Sequence, residues 1–195
     1  MAKLGTFGSS GNAPWTAGAR LLNKPLRGPR RAQPQGGQVM SKTEAKLKEL
    51  GVTLPTPAAP VANYVGAVIT GHLVIVSGQL ALGPDGKLDP AHKGKLGAEV
   101  FHEAGIAAAR ACAINVLAQA KAALGDLDRI TRCVRLGGFI NCKPDFNALP
   151  AIMNGASDLV VAALGEKGRH ARTTIGVAQL PLDCAVEVEA LFEFK

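Results

Sequence analysis

Acidic residues are missing from the first 43 positions of this 195-residue chain, long apolar runs are missing throughout, and aromatic side chains make up only 4% of it. The first absence makes the formal net charge of +7 misleading. Residues 1–43 hold Lys3, Arg20, Lys24, Arg27, Arg30, Arg31 and Lys42 with no Asp or Glu; without those seven, 15 of the 22 Lys and Arg remain, against 15 Asp and Glu. From Glu44 onward the protein is formally neutral, which removes the basic footprint of a nucleic-acid-binding domain. Few aromatics also means few platforms on which single-stranded RNA bases could stack. No nucleic-acid partner is expected. No apolar run approaches the roughly 20 residues of a membrane-spanning helix, so no membrane partner is expected either.

Motifs for metals and cofactors are lacking too. Cys112, Cys133, Cys142 and Cys184 form no C-x-x-C pair and fall inside apolar stretches, where a free thiol behaves as a small hydrophobe; a reducing, cytoplasmic location is expected. His72, His92, His102 and His170 are too scattered to complete a zinc pattern. His102-Glu103 begins like a metalloprotease helix but has no histidine four residues after His102. Neither G-x-G-x-x-G nor G-x-x-x-x-G-K-[ST] occurs, so the residues point to no metal and no nucleotide cofactor.

What is present divides into two stretches. Residues 1–39 are rich in Gly, Pro and Ser, with Gly8-Ser9-Ser10-Gly11 and Pro34-Gln35-Gly36-Gly37, and show no sustained helical or strand period. Such a stretch cannot bury enough surface to offset its chain entropy, and a disordered basic extension is expected there. Upstream sequence translated from a wrong start codon, a transit segment and a basic interaction arm are its three readings; the first is favoured because Met40 is followed at once by a helix start at Thr43-Glu44-Ala45-Lys46.

Residues 40–195 read as a single α+β domain. A short helix is expected from Thr43 to Leu50, with Thr43 as cap and Gly51 as stop. Val61–Ile69 and His72–Val76 read as strands around a turn at Thr70-Gly71. Ala98–Leu124 reads as a helix whose stripe Val100, Ala104, Ala107, Ala111, Ile114 and Ala118 recurs at spacings of four and three. Arg129–Ile140 is a third strand, Asn147–Leu164 a helix with Pro150 in its first turn, and Arg172–Gln179 and Cys184–Phe194 two final strands. That order predicts one sheet with both longer helices on one face.

If the last two strands form a hairpin around Leu180–Asp183, Ile175 and Val177 share the core face with Val186, Val188, Ala190, Phe192 and Phe194. Arg172 then lies opposite Glu189 and Thr174 opposite Glu187, so all four occupy one face. An Arg guanidinium and a nearby Glu there read either as a carboxylate site with a water-activating acid or as a solvated ion pair worth less than about 1 kcal/mol.

The run Arg172-Thr173-Thr174-Ile175-Gly176-Val177-Ala178-Gln179-Leu180-Pro181, followed by Ala185-Val186-Glu187-Val188-Glu189-Ala190, resembles the C-terminal signature of the reactive-intermediate deaminase family, RidA/YjgF. Tyr64 and Val76-Ser77-Gly78-Gln79 resemble its N-terminal hairpin, and Asn154–Leu159 with His170-Ala171-Arg172 resemble its larger-loop branch. The resemblance covers about Met40 to Lys195. It implies a chorismate-mutase-like fold and a homotrimer whose sites lie between subunits. It also implies hydrolysis of small reactive 2-enamine or 2-imino acids to 2-keto acids and ammonia, without a cofactor. By the same resemblance Arg172 holds the substrate carboxylate, Glu187 attends the water, and Tyr64, Ser77, Thr174 and Asn154 line the pocket. Thr174 stands where the best-known deaminases often carry cysteine, which excludes a thiol role. A non-catalytic metabolite-binding trimer is the second expectation, and a ribonuclease or translation inhibitor the third, which the neutral body does not support.

Overall fold

The structure, a computed structural model, describes residues 41–57 and 63–195. The extension expected over residues 1–39 lies outside the described residues, as do Val61 and Ala62 of the first expected strand. The first helix, α1, spans Lys42–Glu49, and its cap is Ser41 rather than Thr43: the Ser41 hydroxyl accepts from the Glu44 amide. Thr43 falls in the first turn, where its hydroxyl and amide and the Lys42 amide all donate to Asp128. One carboxylate from a distant loop thus satisfies helix-end donors that would otherwise lack partners. Burial pushes Asp128 up, but those hydrogen bonds outweigh it and hold the carboxyl below its ordinary value.

Among the described residues five strands form one mixed sheet: β1 (Ala67–Thr70), β2 (Leu73–Leu80), β3 (Ile130–Asn141), β4 (Ala171–Val177) and β5 (Val186–Phe194), in the order β1-β2-β5-β3-β4. Only β3 and β4 run parallel. The helices α2 (His102–Leu124) and α3 (Leu149–Leu164) follow β2 and β3 and cover one face of the sheet. The core lies beneath them, built from Val74, Val76, Leu136, Ile140, Val186, Val188 and Phe192, all at most 1% exposed.

The expected hairpin of the last two strands does not form. β5 inserts between β2 and β3, and β4 pairs with the far side of β3 as the outer strand. The physical reason is apolar content. Alternate residues of β5 are almost wholly apolar and gain by occupying the middle of the sheet, whereas β4 carries Arg172, Thr173, Thr174 and Gly176 and stays at the edge.

The expected α2 stripe holds in part. Val100, just before the helix, and Ala118 are buried, and Ala104, Ala111 and Ile114 pack against the core, but Ala107 is exposed, and Gly105, Ala109, Cys112, Val116 and Ala120, outside the stripe, are buried. In so alanine-rich a helix the side chains differ too little in size to mark the inner face. What fixes it is close approach: a Cβ on Gly155 of α3 would collide with the Ile106 carbonyl oxygen of α2, and one on Gly105 would lie 2.6 Å from Leu96 Cδ1.

Candidate active site

The parallel β3–β4 pair decides where Arg172 points. Arg172 stands beside Leu136 and Thr174 beside Gly138; Leu136 is in the core, and a Cβ on Gly138 would lie 2.5 Å from the Met153 sulfur of α3. Arg172 and Thr174 therefore face the helices. Arg172 extends along α3: its Nη1 donates to Asn154 Oδ1 at 2.9 Å and to Ser157 Oγ at 3.1 Å, and its Nη2 donates to the Pro150 carbonyl at 3.3 Å. Positions 150, 154 and 157 form one ridge of the helix. Of the five guanidinium protons, three are used, and Nε–H and one Nη2–H have no partner among the described residues. Those two nitrogens are neighbours and make a fork for the two oxygens of a carboxylate.

Glu187 points the other way. It stands beside Phe139 of β3, whereas its neighbours Val186 and Val188 fill the core, so its carboxylate lies on the face that, among the described residues, no helix covers. Arg172 and Glu187 are thus on opposite sides of the sheet, with β3 between their strands. The expectation that Arg172, Thr174, Glu187 and Glu189 share one face fails because it rested on the hairpin. Ile175, expected in the core, is instead on the bare face and 45% exposed. Glu189 pairs not with Arg172 but with Arg135, at 2.9 Å.

The bare face has its own geometry. Glu187 lies against the Cα of Gly78, and Glu189 lies over Gly137, where a Cβ would come within 2.6 Å of its Oε1. Both carboxylates occupy space that a side chain at either glycine would fill. Burial, then the like charge of Glu189, raises the Glu187 carboxyl above its ordinary value. Ser77 is on the strand bulge next to Gly78, and its hydroxyl donates to the Val65 carbonyl at 2.7 Å. That bond ties β2 to the segment that carries Tyr64, which is exposed.

The sequence-derived residues therefore fall into two groups. Arg172, Asn154 and Thr174 form one beside α3; Glu187 and Ser77, with Tyr64 next to the carbonyl that Ser77 binds, form the other on the bare side. Thr174 Oγ1 is buried without a hydrogen-bond partner among the described residues. Sequence reasoning missed Ser157 and the Pro150 carbonyl as Arg172 partners. The available signal was the spacing of three between Asn154 and Ser157, which sets both on one side of a helix. Among the described residues no group of His, Cys, Asp and Glu side chains could hold a metal ion, and no helix is long and apolar enough to cross a membrane.

The family described as "YjgF/chorismate_mutase-like, putative endoribonuclease" matches residues 44–194. Protein TCP17 of Trypanosoma cruzi is 49% identical over 155 residues, which cover 79% of this chain and 95% of that protein. The crystal structure of Atu1372, a protein with unknown function from Agrobacterium tumefaciens, superposes with a TM-score of 0.73 at 45% identity, covering 78% of this chain and 92% of that one. The Escherichia coli YjgF gene product superposes with a TM-score of 0.52 at 25% identity, covering 74% and 99%.

Proposed function

The chain belongs to the YjgF/chorismate mutase-like family, and on that premise we propose that it hydrolyses small reactive 2-enamine or 2-imino acids to 2-keto acids and ammonia, at sites shared between the copies of a homotrimer. The observation that carries this reading is the free fork of Arg172 on one side of the sheet, set against a raised carboxyl, Glu187, on the other. Neither half is a complete site. Glu187 of one copy would meet Arg172 of the next where the bare face of the first packs against the outer strand β4 of the second, on which Arg172 is exposed. Val68, Ile75 and Ile175 are 48%, 45% and 45% exposed on that face, an apolar surface suited to a partner of the same kind.

The substrate carboxylate docks on Arg172, which leaves its C=N carbon open to water. An enamine reaches the C=N form by taking a proton at its β-carbon. Glu187 takes a proton from the water as its oxygen bonds to the carbon and the C=N π pair moves onto nitrogen. Glu187 then returns that proton to the nitrogen, and the new hydroxyl releases its own as the C–N bond breaks, leaving a keto group and ammonia. A carboxyl raised by burial is a stronger base than an ordinary one, and a carbon already activated by nitrogen needs little beyond orientation. Asn154, Thr174, Ser77 and Tyr64 line the shared pocket in this reading. No cofactor takes part. The four free thiols, three of them buried, accord with work in a reducing, cytoplasmic compartment.

Ammonia release from freshly generated 2-aminoacrylate or 2-iminopropionate tests the chemistry. The protein should exceed the spontaneous rate, and Arg172→Ala should lose the excess by at least about 100-fold. Subunit mixing tests the sharing. Co-refolded Arg172→Ala and Glu187→Gln chains, each inactive, should recover about one quarter of the parental activity, since a random trimer places an intact arginine beside an intact glutamate at about one site in four. Zero recovery overturns the shared site. Measured affinity for a 2-keto acid without turnover supports a non-catalytic metabolite-binding trimer instead. The family description supplies a ribonuclease reading, against which the neutral charge from Glu44 onward weighs; cleavage of RNA that Arg172→Ala abolishes would favour it.

A further inference from the structure

We propose that Ser157 and His170 form a directional relay that holds Arg172 as a receptor for a single carboxylate, with His170 a positioning residue that acts through the serine hydroxyl; this rests on the reading of Arg172 as the carboxylate site. The relay begins at a backbone oxygen. His170 Nδ1 lies 2.6 Å from the Gly168 carbonyl, which only accepts, so Nδ1 carries a proton. In the neutral ring Nε2 is then an acceptor, and it lies 3.1 Å from Ser157 Oγ. The hydroxyl owns one proton, and that proton goes to Nε2. Its lone pairs remain for Arg172 Nη1, also at 3.1 Å. Each link fixes the direction of the next, from a peptide carbonyl through an imidazole and a hydroxyl to the guanidinium.

The effect falls on which donors Arg172 has left. Ser157 and Asn154 together occupy both Nη1 protons, and the Pro150 carbonyl takes one from Nη2. Nη1 is therefore withdrawn from ligand binding, and the Nε–Nη2 edge is what remains. Without the relay, the Ser157 hydroxyl can rotate to give its own proton elsewhere, Nη1 keeps Asn154 as its one partner, and the guanidinium turns more readily about its last bonds. Fixing the fork before the ligand arrives lowers the ordering cost of binding.

The loop that delivers His170 is built for this approach. Gly168 is buried, and a Cβ on it would lie 2.5 Å from the Val160 carbonyl oxygen and 2.8 Å from the Val161 Cα. Glycine brings the chain against the end of α3 two residues before His170, within reach of Ser157. The nearby charges are otherwise engaged: Arg169 binds Glu166 at 3.1 Å, and Lys167 donates to the Ile130 carbonyl at 3.1 Å.

Nitrogen-15 NMR and calorimetry with pyruvate as the probe test the relay. In the ligand-free protein the His170 ring should show the Nδ1–H tautomer, and rotation about the Arg172 Cζ–Nη1 bond should be slow. Ser157→Ala should speed that rotation. Ser157→Ala and His170→Phe should each weaken pyruvate binding roughly 3- to 10-fold, the size of one lost hydrogen bond. Ser157→Thr restores the hydroxyl and His170→Gln an acceptor oxygen, and both should recover affinity to within about threefold of the parent. An Nε2–H tautomer, unchanged Arg172 rotation in Ser157→Ala, or His170→Gln binding no better than His170→Phe would each overturn the relay. If pyruvate fails to bind the parent protein while both spectroscopic signatures are present, the carboxylate reading of Arg172 is what falls, and the relay stands as a feature of the chain.

Discussion

The two faces of the sheet differ in how their polar groups are held. On the helix-covered face, Arg172 is fixed by three acceptors from a single helix ridge, and the surrounding packing is so close that glycines at 105 and 155 are needed where α2 meets α3. On the bare face, Glu187 and Glu189 lie over glycines with Val68, Ile75 and Ile175 exposed around them, and the Arg135–Glu189 pair stays half open to solvent. The covered side is closely packed, with the Arg172 fork and the Thr174 hydroxyl its open polar groups. The other leaves apolar side chains open to solvent around two carboxylates.

The largest test of that contrast is to charge the bare face. Ile75→Asp combined with Ile175→Asp should leave a folded monomer by light scattering and circular dichroism. Activity should drop at least about 100-fold, because an unpaired charge is not tolerated in an apolar contact. A stable trimer with full activity would assign assembly to another surface. Next in size is Gly155→Ala on the covered side, where the added methyl meets the Ile106 carbonyl; urea unfolding should show a loss of about 1–3 kcal/mol. A neutral result would mean that α2 and α3 can slide apart, contrary to a closed packing on that face.

Away from both faces, Asp128→Ala should cost about 1 kcal/mol, the usual price of a lost helix cap. Asp128 titrates below its ordinary 3.8 in the folded chain, so its contribution is present above that pH and is lost as pH falls through the lowered value. The parent's acid unfolding should therefore show a step that the variant lacks. The smallest expected effect on stability belongs to Glu187→Gln. Its folded carboxyl is raised above 4.5, so the folded state binds more protons than the unfolded one, and the parent loses stability as pH climbs past 4.5. The glutamine variant should match the parent near pH 4 and exceed it at pH 7; equal stability at both would show that Glu187 carries no burial penalty.

Much of the architecture was legible in the residues. Runs rich in Val and Ile marked the strands, Gly125 the end of α2, and Pro150 the first turn of α3, because turn chemistry and side-chain period act locally; the first strand was drawn too long, since Asn63 to Gly66 precede β1. The pairing of β4 was not legible. Its alternation is compatible with either neighbour, and the Leu180–Asp183 turn reads like a hairpin loop even though it carries the chain past β3 to the other side of it. That single choice of partner reversed the face assigned to Arg172. Ser157 escaped notice for a related reason: a serine inside a helix acquires meaning only when a strand distant in sequence delivers an arginine and a histidine to it.

The sequence by itself determined the elements, the apolar core positions of β5 and the charge neutrality of everything after residue 43, since these follow from composition and period over short stretches. Tertiary structure decided that Arg172 and Glu187 lie on opposite sides of one sheet. Strand order is set by which strand gains most from a central, doubly paired position, and that competition is settled only when the whole sheet assembles.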